Sequence, residues 1–128
     1  MYLELLQEFQ TAIAEPMAML RASRPRLEAI RQLESTPRRT LVWLQGQTSI
    51  VTRLLAEVHP PAGGEAALNL LTSATQLAAR AVTSRQQAVS TGEMQPAWEA
   101  ASAAAGALML LDRAAEELQH LTKPPNLQ

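Results

Sequence analysis

Three short breaks divide this chain into four long stretches, and that punctuation limits the folds open to it. Ser35-Thr36-Pro37, His59-Pro60-Pro61-Ala62-Gly63-Gly64 and Thr91-Gly92 each combine residues that stop or restart a helix. Between them, apolar residues recur every three or four positions, the spacing of one helical face. In the first stretch Leu6, Ile13, Leu20 and Leu27 are seven apart, with Phe9, Met17 and Ile30 on the same stripe. The second carries Leu41, Leu44, Thr48, Val51, Leu55 and Val58, widened by Ile50 and Leu54. In the third, Leu68, Leu71, Ala74, Ala78, Ala81 or Val82 and Val89 form the stripe, flanked by Leu70 and Leu77. The fourth follows Ala97, Ala101, Ala104, Leu108, Leu111, Ala115 and Leu118.

The expected fold is therefore all-α: an up-and-down four-helix bundle with a kinked or broken first helix. Short connections make successive helices antiparallel neighbours. The first helix is expected over about residues 2–34. Pro16 removes an amide donor and crowds the carbonyl of Ala12, which predicts a kink. The alternative is a break near residue 23, with Ser23 as N-cap and Pro25 in a new first turn. Thr36 is the expected cap of the second helix and Pro37 its first residue. Gly46 should weaken that helix by about 1 kcal/mol, unless a neighbouring backbone needs the space. The third helix is expected over about Glu65 to Thr91, and the fourth from Gln95-Pro96 to Thr122. Residues 1–122 read as a single helical-bundle domain and 123–128 as a disordered C-terminal tail.

Composition agrees with this reading. With 128 residues and 47% hydrophobic content, the chain can bury one core without staples. Tyr2, Phe9, Trp43 and Trp98 are its only aromatics, so Leu, Ala, Val, Ile and Met must fill that core. The absence of cysteine removes disulfides, thiolate nucleophiles and Cys-ligated metals. Glu4 and Glu8 stand where a signal peptide would be basic, so the expected location is cytoplasmic.

Residues 100–111, AASAAAGALMLL, hold no charge. A membrane span needs about twenty apolar residues, and here Glu99 and Asp112-Arg113 bracket only twelve uncharged positions. The small residues suit close packing on the Ala-rich third helix. Yet Leu108, Met109, Leu110 and Leu111 point almost all the way around, more than one core-facing stripe requires. The excess makes Met109, Leu110 and Gly106, with Trp43 and Trp98, candidate residues for an interface with a second copy (a homodimer) or with another protein.

Signs of chemistry are weak. Glu117-Leu118-Gln119-His120 is a single E-x-x-H unit, whereas a di-iron bundle needs two and further glutamates. His59 lies beside a loop with no matching ligand spacing, so no metal site is expected. His120 runs directly into Lys123-Pro124, unlike the mid-helix histidine of a phosphotransfer bundle. No nucleophile elbow or phosphate-binding loop is present. Glu4, Glu8 and Glu15 step along a solvated face.

Arginine is concentrated between Arg21 and Arg53, whereas the last quarter is acidic. Arg24, Arg26, Arg38 and Arg39 are the candidates for an anion site, because Arg38 and Arg39 begin a helix. Interleaved Glu28 and Glu34, the lack of a stacking aromatic beside the cluster and a net charge of −1 argue instead for ion pairing and against nucleic acid. The expected function is that of a non-catalytic protein–protein interaction module (an adaptor, chaperone-like protein or self-associating scaffold) that needs no cofactor and no membrane. The alternative is a bundle that binds a small molecule, or an enzyme, with its pocket between helices.

Overall fold

A computed structural model describes residues 1–122, and the expected tail at 123–128 lies outside the described residues. The chain forms four helices: α1 (Tyr2–Arg31), α2 (Arg38–Ala56), α3 (Glu65–Thr91) and α4 (Met94–Thr122). They form an up-and-down bundle in which α1 packs on α2 and α4, and α3 packs on α2 and α4. The diagonal pair α2 and α4 makes no close backbone approach, while α3 and α4 make the most extensive one. Only Gly92 and Glu93 separate those two helices. Gly92 supplies the turn with φ +71° and donates its amide to the Ala88 carbonyl at 2.8 Å, a left-handed cap that suits glycine.

α1 runs unbroken through Pro16 and Pro25, which corrects the expected alternative of a restart near residue 23. Ser23 is not an N-cap. It is buried mid-helix and donates its hydroxyl to the Met19 carbonyl at 3.0 Å, one turn back. Pro16 is also buried, so its ring contributes to the packed face that the heptad spacing already defined. The helix ends at Arg31, three residues earlier than expected, in a Schellman turn. Glu34 donates its amide to Ala29 and Leu33 to Ile30, with Leu33 held at φ +60° where glycine is usual. α2 also starts later than expected. Pro37 is the N-cap, its carbonyl accepting from Thr40 and Leu41. Thr36 is buried and donates to the Glu34 carbonyl rather than capping the helix.

The core has three contiguous parts. At the end holding the N-terminus of α1, Phe9, Ile13 and Met17 pack with Val51, Leu55, Leu71 and Leu111. Leu27, Ala78, Ala107 and Leu108 fill another section. Towards the opposite end, Ile30, Leu41, Leu44 and Val82 meet Ala100, Ala103 and Ala104. Alanine on α4 facing Ala74, Ala78 and Ala81 on α3 lets the two backbones lie close, with little side-chain volume between them. Two stripe assignments change. Val89 is exposed and Ala88 takes the inward position, while Ile50 stands at the rim of exposure. Both lie beside the stripe rather than on it, because a helix turns 100° per residue and one step moves a side chain off the core.

The lower end is closed by contacts far apart in sequence. Tyr2 donates its hydroxyl to the Ala62 carbonyl at 2.9 Å, linking the start of α1 to the α2–α3 loop. In that loop Glu65 accepts the Gly63 amide at 2.9 Å, holding the entry to α3. Among the described residues, no helix is long and apolar enough to cross a membrane.

Candidate interaction surface

α4 carries a hydrophobic surface on both of its faces. Inward it presents Ala100, Ala104, Ala107 and Leu111, all buried. Outward, at steps of four, three and four, it presents Trp98, Ser102, Ala105 and Met109, all exposed. Trp98 is 54% and Met109 58% exposed, and Met94 extends the same side at 55%. This face has no charged residue between Glu99 and Asp112. A solvent-facing stripe on a bundle helix is normally polar, so the outward apolar run needs a reason beyond folding.

The five interface candidates do not form one patch. Met109 and Trp98 share the outward stripe. Leu110 is partly buried and packs against the lower core. Gly106 is half-buried under Leu77: a Cβ there would stand 2.9 Å from the Leu77 Cδ1. Trp43 lies on α2, packed on the upper core and covered by Arg26, whose guanidinium sits 4.0 Å from the ring centroid. Met94, Ser102 and Ala105 join the outward stripe although none of them stood out as an interface residue in the sequence. The signal that could have found them was the four-three-four spacing from Trp98 to Met109.

A groove of ≈ 480 Å³ runs beside this stripe on the α3 side, with Trp98 as one wall and Arg80, Ser84 and Glu99 around it. Gln95 donates to the Glu99 carboxylate at 3.3 Å, one turn along α4. A second exposed apolar group, Leu3 and Leu5, lies at the start of α1. It is interrupted by Glu4 and Glu8 and is shorter than the α4 stripe.

Two of the four arginine candidates are engaged within the chain. Arg24 ion-pairs with Asp112, joining α1 to α4. Arg26 stacks on Trp43. Arg31 pairs with Glu28 at 2.5 Å. That hydrogen bond, with the nearby positive charge, holds the Glu28 carboxyl below its ordinary value and raises the Arg31 guanidinium above its own. Arg85, half-buried on α3, donates to the Glu34 carbonyl at 3.5 Å and so reaches the turn after α1. Arg38 and Arg39 are exposed at the start of α2, and among the described residues neither forms an ion pair. The four candidates therefore do not converge on one anion site.

His120 is exposed and Glu117 half-buried near the end of α4. His59 lines a separate groove of ≈ 320 Å³ with Glu8 and Glu57, beside Phe9 and Pro61. Among the described residues, no three histidine or carboxylate side chains come together as a metal site would require. No protein-family model matches this chain, and comparisons with curated proteins and with solved structures give no match either.

Proposed function

We propose that this protein is a non-catalytic interaction module that binds another polypeptide through the outward face of α4. The observation that carries the reading is the uncharged stripe from Trp98 to Met109, which leaves a tryptophan and a methionine more than half exposed on a helix whose inner face already fills the core. Tryptophan is enriched among the residues that dominate binding energy, and methionine adapts to irregular partner surfaces. The interior supports the same reading. Leucine, alanine and other apolar side chains fill the space between the helices, and the grooves beside the α4 stripe and beside His59 lie at the surface.

Met109→Glu tests the proposal. The side chain points outward, so the fold should tolerate a carboxylate there and circular dichroism should show unchanged helicity. Association should fall, both as native mass across a concentration range and as binding of protein partners to the immobilised chain. A variant that associates like the wild type in both assays would refute the proposal.

A further inference from the structure

The α4 stripe matches itself when a second copy is turned end for end. We propose that the partner is another copy of this chain, paired antiparallel along α4 about a two-fold axis that passes between Ser102 and Ala105. This rests on the reading of the α4 face as an interaction surface and adds the partner and the register. The step pattern Trp98, Ser102, Ala105, Met109 is the alternating four-three spacing with which two helices interlock side chains. In the antiparallel register, Trp98 of one copy lies over Met109 of the other, and Ser102 over Ala105. Each large side chain meets an adaptable one at the ends, and small residues meet at the centre, where the backbones must come closest.

The charges that bracket the stripe favour the antiparallel direction. Glu99 and Arg113 lie on the α3 side of the stripe, two heptads apart, and both are exposed. Among the described residues neither forms an ion pair within the chain. Turned end for end, each Glu99 and the Arg113 of the other copy share one edge of the seam, about 7.5 Å apart along it, within reach of their long side chains, giving two equivalent ion pairs. A parallel pairing would instead set Glu99 beside Met94 and Arg113 beside Leu108, leaving four charges against apolar side chains. An isologous contact of this kind closes at two copies and leaves no surface for further growth.

The strip from Met94 to Arg113 is about 30 Å long and one helix wide, smaller than the surface a permanent dimer buries. The pairing should therefore depend on concentration. Sedimentation velocity of the full chain from about 1 µM to about 1 mM should show a shift from monomer to dimer. Glu99→Arg and Arg113→Glu should each weaken the dimer roughly tenfold or more, because both ion pairs become repulsive. The double variant Glu99→Arg/Arg113→Glu should recover it. All three change exposed residues, so circular dichroism should show each still helical.

A chain that stays monomeric at every concentration overturns the inference. So does a dimer that neither single charge reversal weakens, or one that the double variant fails to recover. If the reversals have no effect but Met109→Glu still dissociates the dimer, the face is right and the register wrong. If Met109→Glu also leaves both dimerisation and partner capture unchanged, the interaction reading fails with it.

Discussion

Two glycines inside helices should respond unequally to the same substitution. Gly46 is exposed in the middle of α2, and a Cβ added there would meet nothing within 4 Å. Replacing it with alanine removes only the conformational freedom of glycine in the unfolded chain, so Gly46→Ala should stabilise by about 1 kcal/mol. In a bundle of this size that raises Tm by about 3–6 °C. At Gly106 the same gain is opposed. The new methyl would stand 2.9 Å from the Leu77 Cδ1, and Leu77 packs on both the middle and upper parts of the core. Its side chain, half-buried and lining the surface groove beside Trp98, must shift to make room, which offsets part of the gain. Gly106→Ala should therefore gain less than Gly46→Ala. Urea denaturation at a low, fixed protein concentration measures both. Equal gains would refute the claim that Leu77 crowds Gly106. A Gly46→Ala variant with no gain would mean that another chain covers the outer face of α2.

Leu33 offers a test of backbone strain. At φ +60°, Leu33→Gly should be more stable than Leu33→Ala by about 1 kcal/mol, the reverse of a helix interior, and thermal denaturation of the pair would show it. Phe9 is the only phenylalanine and is buried between α1, the α2–α3 loop and the lower core. Phe9→Ala should lose about 3–5 kcal/mol in the same denaturation assay. Glu28 should titrate below an ordinary glutamate in NMR pH titrations, and Arg31→Ala should bring it back up. Because its folded value is the lower one, its contribution is present above the ordinary value of 4.5 and is lost as pH falls through the folded value. An unshifted Glu28 would rule out the Arg31 hydrogen bond in solution.

The sequence by itself determined which residues form helices and which face of each helix is apolar. Stripes such as Leu6–Ile13–Leu20–Leu27 and Leu41–Leu44–Thr48–Val51 are local patterns, set by 3.6 residues per turn and readable without knowing any neighbour. Gly92 and the Pro-Gly run at residues 60–64 were legible for the same reason. Proline fixes φ and removes a donor, and glycine admits a positive φ, each within a few residues of where it acts. Tertiary structure decided the cases in which a local signal had a competitor. Ser23 and Pro25 resemble a helix start, but the buried face on either side of them continues, and packing against α4 favours one helix over two. Leu110 and Met109 are adjacent and equally apolar, and only their place relative to the core decides that Leu110 is partly buried while Met109 is left in solvent. The same applies to Arg24, whose partner Asp112 is 88 residues away. Apolar periodicity reports that a surface must be buried, and only the arrangement of the other helices decides which surfaces remain for a partner.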